Sequence, residues 1–434
     1  MAHGLGFSDE YWENLIKKLP GEFIFYREGL LLNKNKHYVG IGHSLGFQKL
    51  NNSGIKFDLL FGLQGFLNFC GTDERLKEIR KKNLDKMIKM FQADWQNALE
   101  SFYQSCDYPG NIPNNISKED LVRDFELLKT DNKHCGAKTV IIGSYDDRIV
   151  PPILIEDNFA CLNNVLIKYV DKAGHSLGFN MSEVIANIIQ EEIFKFQISG
   201  NFNAVADEYD KYAKIQKQSS NRLAKMAWQS IGNFEVKSIL DIGAGIGQTT
   251  EEFMAYYPRA EYTLLDISDN MLKKAKEKIK NIKIITADAE NYKFNQEYDL
   301  CIANLSVQWF VNFEEFLKKI KKGCKYLAFS TLLDSSFKQY KHIFKQKNTE
   351  PPTFKYSDEL KLLKIAEEYG QIIQKDIFSY KETFPNAVLA AKQFKRIGAN
   401  QSSHLNNKIV SVLLSRKSKI ELEYDIFFAV LIAS

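Results

Sequence analysis

The 434-residue chain is poor in cysteine, and Cys70, Cys106, Cys135, Cys161, Cys301 and Cys324 are scattered without CxxC spacing. That argues against a zinc site or a disulfide framework and for reduced thiols. No apolar run reaches the roughly 18 residues that span a bilayer, and the first residues form neither a basic leader nor a long apolar core. The chain therefore reads as cytoplasmic, with no membrane partner. Its excess of basic over acidic side chains is only +4, too small to argue for nucleic acid. No period of 20 to 50 residues repeats, which argues against a solenoid. What is present is an ordinary soluble composition, 44% hydrophobic and 26% charged. The length suits two cores of roughly 200 residues each.

Both halves read as α/β. Between about Lys36 and Phe179, β-rich runs at His37–Ile41, Phe57–Leu63, Thr139–Ile142 and Val165–Val170 alternate with helical patterns, as in a parallel sheet. A mostly helical insertion, about 74–130, separates the second run from the third. Met87, Met90, Phe91, Trp95, Leu99 and Phe102 fall near helical spacing in it, and Ser117 with Asp120 resembles a capping box. A short polar connection, Ser199-Gly200-Asn201, precedes a second α/β series: a helix Tyr209–Trp228, a strand Ser238–Ile242, a helix Thr249–Ala255, and strands Tyr262–Asp266 and Lys283–Ala287. The expected domains are 1–197, with the insertion as a cap, and 198–434.

The first half carries Gly42-His43-Ser44-Leu45-Gly46 after the apolar run Tyr38-Val39-Gly40-Ile41. A nucleophile elbow needs such a strand and small flanking residues. Gly-His-Ser-Leu-Gly-Phe recurs at 174–179, but Ser176 follows Asp171-Lys172-Ala173, which does not end like a strand. Chain order supports Ser44, because an acid and a histidine then follow it in the α/β-hydrolase order, Asp147 in the loop after the third run and His175 after the fourth. His175 would be the general base, and Asp147, or its neighbour Asp146, would orient it. The oxyanion donors would be the backbone amides of Leu45 and, within His3-Gly4-Leu5-Gly6, of Leu5. A hydrolase of this kind places its first strands before that loop, and the sequence leaves no room for them.

The second half carries Asp241-Ile242-Gly243-Ala244-Gly245-Ile246-Gly247 between a strand and a helix. Gly243 and Gly245 let the backbone approach a cofactor. Asp241 favours S-adenosylmethionine over a dinucleotide, since a carboxylate there meets an ammonium and repels pyrophosphate. Asp266, ending the next strand, is placed to accept from the ribose hydroxyls, and Asp288 from the adenine amine. Asn304, Gln308 and Trp309 follow the next strand and read as part of the pocket. The glycine loop by itself is common to many nucleotide enzymes. More specific are Tyr209–Gln216 (YDKYAKIQ), Ala303–Trp309 (ANLSVQW), Phe329–Leu332 (FSTL) and Phe394–Asn400 (FKRIGAN).

With these pieces residues 202–434 resemble the malonyl-acyl carrier protein O-methyltransferases of biotin synthesis. Residues 1–195 are similar to the pimeloyl-acyl carrier protein methyl ester esterases of the same pathway, through HGLG, GHSLG, the Asp147 loop and the Gly174-His175 turn. The resemblance implies a Rossmann-like class I methyltransferase behind an α/β-hydrolase-like esterase, with S-adenosylmethionine as cofactor, no metal, and acyl carrier protein or coenzyme A bearing the acyl group. One enzyme would then mask the malonyl carboxylate, whose burial unpaired is costly, and unmask it after elongation. An acidic carrier calls for basic surface, for which Lys392, Lys395 and Arg396 on one helix are candidates. Two alternatives stay open: other small acids and esters as substrates, or a non-catalytic docking module in place of the esterase.

Overall fold

In the computed structural model all residues are described except 34, 352, 354, 400–406, 416, 417 and 434, with the side chains of 407 and 408 also left aside. The chain divides into two units, Met1–Phe196 and Gln197–Ser434.

The first unit runs α1 (Glu13–Ile16), β1 (Val39–His43), α2 (Leu45–Asn51), β2 (Leu59–Leu63), α3 (Glu74–Ala93), α4 (Trp95–Ser105), α5 (Lys118–Leu128), β3 (Thr139–Ser144), α6 (Pro152–Phe159), β4 (Val165–Val170), α7 (Leu177–Asn180) and α8 (Ser182–Val205). The four strands form one parallel sheet in chain order. β2 and β3 are buried at every position, as expected for parallel strands covered on both faces. Ala2 adds a single-residue bridge beside β1: its N–H donates to Ile41 O and its carbonyl accepts from His43 N, both at 2.9 Å.

The insertion folds into α3, α4 and α5. Asp73 and Asp94 cap the first two, and Ser117 with Asp120 forms the expected capping box on the third. The apolar stripe is corrected at Met90, which is 57% exposed. At Asp94 the backbone leaves the helix (φ −151°, ψ 92°), so positions before and after it do not share one helical phase. The polar run Ser199-Gly200-Asn201 is also not a connection, because it lies inside α8.

The second unit continues with α9 (Tyr209–Tyr212), α10 (Lys214–Ile231), β5 (Ser238–Ile242), α11 (Gln248–Met254), β6 (Glu261–Asp266), α12 (Asp269–Lys278), β7 (Ile282–Thr286), β8 (Tyr298–Asn304), α13 (Phe313–Ile320), β9 (Cys324–Leu332), α14 (Lys338–Lys345), α15 (Glu359–Tyr369), β10 (Gly370–Phe384), α16 (Ala387–Arg396), α17 (Asn407–Ser415) and β11 (Ile420–Ala433). The single helix expected over Tyr209–Trp228 is two, because Ala213 adopts φ −84°, ψ 45°. The sheet order is β10-β11-β9-β8-β5-β6-β7. Strands β5 to β9 are parallel, and β11 runs antiparallel to both β9 and β10. It is a Rossmann-like sheet whose chain reverses its direction of travel between β5 and β8. In open α/β sheets ligands bind at the carboxyl ends of the strands flanking such a reversal. No described helix is long and apolar enough to cross a membrane.

Candidate functional sites

In the first unit Ser44 ends β1 at φ 53°, ψ −122° and starts α2. Such a conformation is strained for a residue with a Cβ and survives only where the surroundings impose it. They do so here: a Cβ on Gly42 would strike the backbone of Phe47, and one on Gly46 the carbonyl of Ala2. The N-terminal loop presses on the same turn, since a Cβ on Gly4 would lie 3.1 Å from Ser44 Cβ and 3.1 Å from His43 Nδ1. Leu5, next in that loop, and Leu45, which heads α2, are both buried.

His175 and Asp147 come together from the loops after β4 and β3. His175 Nδ1 lies 2.8 Å from Asp147 Oδ2, and Asp147 Oδ1 accepts from the N–H groups of Ile149 (2.7 Å) and Val150 (3.0 Å). Burial acts to raise the Asp147 pKa, but the His175 ring and these donors together hold it below the usual carboxylate value. Asp146 instead is exposed and accepts from Lys172 N at 2.8 Å. His175 Nε2, the nitrogen a general base would use, is buried without a protein partner. Ser176, the second serine of the duplicated motif, is fully buried and its N–H donates to Cys106 O.

Sequence reasoning passed over His43. It is fully buried, stacks on Tyr11 with ring centroids 4.3 Å apart, and its Nε2 lies 3.0 Å from His175 O. Burial, then the His175 ring, hold its pKa well below the histidine norm, so it is neutral and its Nε2–H donates to that carbonyl. Phe7 gathers Tyr103 and Tyr108 beside His43, at 5.0 to 5.2 Å between centroids. The Tyr103 hydroxyl donates to Gly6 O, so α4 holds the loop that carries Leu5.

In the second unit the glycine loop lies at the β5–β8 reversal. Gly243 (φ 68°) cannot carry a side chain, because its Cβ would collide with Ser306, whose hydroxyl donates to Ile242 O at 2.7 Å. Asp241 is 1% exposed; its Oδ2 accepts from Thr250 Oγ1 at 2.6 Å, while Oδ1 has no partner. Burial pushes its pKa up to about 7. One buried oxygen of Asp241 is thus left with acceptor capacity beside the glycine loop. Asp266 accepts from Gly245 N (2.8 Å) and Ser268 N (2.7 Å), and burial raises it to about 6. Each oxygen keeps acceptor capacity. Asp288 sits at the turn after β7, its carboxylate accepting from Glu290 N and the Asn291 amide.

Asn304 has a different place from the one expected. Its oxygen accepts from the hydroxyls of Ser219 and Ser330, both at 2.6 Å, and its amide donates to Gln216 O (3.1 Å) and Ser220 Oγ (2.9 Å). All four positions of the amide are taken, so Asn304 ties α10 to β8 and β9 and has nothing left for a cofactor. Small polar residues on a buried helix face, Ser219 and Ser220, were the available signal. Trp309 lies edge-on to Phe202, 5.8 Å between centroids, and Phe202 is 6.3 Å from Tyr209. Asp210 of α9 is held by Gln248 (2.7 Å) and Lys278 (3.0 Å). Gln393 of α16 donates to Tyr212 O at 2.9 Å, and Asn400, the end of FKRIGAN, lies outside the described residues. Among the described residues no histidine, cysteine or carboxylate cluster could hold a metal ion.

Residues 239–326 match a family described as a methyltransferase domain. Two relatives align with the C-terminal half. The malonyl-[acyl-carrier protein] O-methyltransferase of Neorickettsia risticii is 27% identical over 238 residues, 54% of this chain and 94% of that protein. Malonyl-[acyl-carrier protein] O-methyltransferase 1 of Ilyobacter polytropus is 31% identical over 227 residues, 50% of this chain and 81% of that protein. Among solved structures, the N-methyltransferase NodS of Bradyrhizobium japonicum in complex with S-adenosyl-l-homocysteine covers 55% of this chain and 98% of that one, at 10% identity and a TM-score of 0.35. At that distance it adds nothing to the fold described above.

Proposed function

Through its C-terminal half the chain belongs to the malonyl-[acyl-carrier protein] O-methyltransferases, and from that premise we propose a two-step enzyme of biotin synthesis. Residues 197–434 methylate the free carboxylate of a malonyl thioester on acyl carrier protein, and residues 1–196 hydrolyse the pimeloyl methyl ester that elongation produces.

For the methyltransferase, the unpaired Asp241 Oδ1 beside the glycine loop carries the reading. S-adenosylmethionine supplies an electrophilic methyl group when bound. Asp241 receives the ammonium of its methionine end, Asp266 the ribose hydroxyls, and Asp288 the adenine amine. The acceptor carboxylate is already ionised at neutral pH, so the protein needs no general base. Its work is to align the acceptor and exclude water, and Trp309, Phe202 and Tyr209 form the wall that does so.

For the esterase, the strained Ser44 turn and the His175–Asp147 pair support acyl transfer in an α/β-hydrolase-like unit. Ser44 Oγ attacks the ester carbonyl while His175 Nε2 takes its proton and passes it to the departing methanol. Asp147 fixes the ring and stabilises its charged form. The amides of Leu5 and Leu45 stabilise the oxyanion, and water completes the cycle. A fluorophosphonate probe tests this half: it labels the wild-type chain and not Ser44→Ala. Equal labelling of the two, or none of the wild type, contradicts the esterase.

A further inference from the structure

Charge is unevenly distributed along the second unit. Residues 335–349 and 383–420 together hold eleven of the chain's 58 lysines and arginines and not one carboxylate, in a chain whose total excess is +4. The remainder of the chain is therefore net acidic. The first stretch contributes α14 and the second α16 and α17, and α14 and α16 meet through aromatic side chains. Phe394 of α16 lies 5.3 Å from Tyr340 of α14 and 5.1 Å from Phe337 just before it. With those rings inward, Lys345, Lys392 and Lys395 are exposed, and among the described residues none of their ammonium groups has an ion pair or hydrogen bond. Elsewhere in this unit exposed lysines are commonly neutralised: Lys274, Lys318 and Lys381 each face two carboxylates.

This face also reaches the methyl-transfer site. The Arg396 guanidinium lies over the Tyr212 ring at 4.5 Å, next to the Gln393 bond to the same residue. Tyr212 ends α9, whose first residue, Tyr209, stands by Phe202, which in turn meets Trp309. A partner bound on α14 and α16 would sit against the wall of the site, within reach for an acyl group on an arm.

We propose that the α14–α16 face docks the acidic protein that carries the acyl group. The proposal rests on the methyltransferase reading above and names the surface through which the substrate arrives. An acidic protein fits better than nucleic acid, because the patch is local on a nearly neutral chain. Exposed lysines on such a rim act on encounter and affinity more than on the chemical step.

The test uses the full chain with Lys345→Glu, Lys392→Glu and Lys395→Glu combined, and a second variant with glutamine at the same positions. Carrier affinity is measured by anisotropy of labelled malonyl carrier protein, apart from turnover. The expected result for the glutamate variant is a Kd and KM for the carrier raised about tenfold or more, with kcat and S-adenosylmethionine affinity unchanged. The glutamine variant falls between, and the steep salt dependence of the wild type flattens. Carrier affinity within about twofold of wild type in the glutamate variant overturns the surface, as does a wild type that prefers duplex DNA to the carrier. A wild type that binds the carrier through these lysines but does not methylate it keeps the surface and overturns the methyltransferase reading.

Discussion

Asp241 carries the proposed methyltransferase site, and its burial gives it a measurable pH signature. Its folded value of about 7 lies above the ordinary 3.8, so between those values the native chain binds more protons than the unfolded one. Stability of the ligand-free protein therefore falls as pH rises from about 4 through 7. A bound ammonium favours the ionised carboxylate, so affinity for S-adenosylmethionine rises over the same range. Calorimetric titration from pH 5.5 to 8.5 should show Kd weakening by close to a factor of about ten per unit on the acid side of the Asp241 step. Asp241→Asn should bind weakly, lose the step near 7, and melt above wild type at pH 8 without ligand. A wild-type Kd flat across this range contradicts the role. Asp241, Ser44 and His175 were legible because glycine spacing and chain order mark them. The Asn304 network was not, since whether an amide faces a ligand or four protein partners depends on side chains from α10 and β9 that are distant in sequence.

At the scale of elements, α9 is the piece that sequence periodicity blurred. The apolar pattern runs on through Ala213, but the backbone turns there and sets Tyr209–Tyr212 apart from α10 as the turn that we propose covers the site. Besides the packing of Tyr209 and Tyr212, polar bonds hold α9: Asp210 bonds to Gln248 at the start of α11 and to Lys278 at the end of α12. These bonds depress the Asp210 pKa, the Gln248 amide first. Asp210→Ala should loosen that lid, raising the Kd for S-adenosylmethionine several-fold while shifting thermal stability by no more than about 1 kcal/mol, the range for exposed pairs. Unchanged affinity with unchanged Tm would show that α9 does not cover the cofactor. The strands given bounds from sequence, β1 to β7, were readable to within two residues at each edge, because parallel strands are short apolar runs, whereas β9, β10 and β11 were not read as strands. The insertion was readable as mostly helical, with the cap at Ser117, but not in phase, because the break at Asp94 resets the stripe.

For the whole molecule, the chain divides into two units with separate cores, and the function we propose gives them linked chemistries, one adding a methyl ester and the other removing it. Lys392, Lys395 and Arg396 were marked in sequence as a basic helix face, but neither strand order nor the meeting of that helix with α14 was visible there, because both arise from contacts between distant segments. The most direct measurement supplies the full-length chain, S-adenosylmethionine and malonyl carrier protein to a reconstituted fatty-acid elongation mixture and identifies the seven-carbon thioester by mass. Wild type should yield the free acid. Ser44→Ala should stop at the methyl ester, and Asp241→Asn should make almost none of either. Free acid from Ser44→Ala at the wild-type rate, or no methylated intermediate from any variant, would contradict the account.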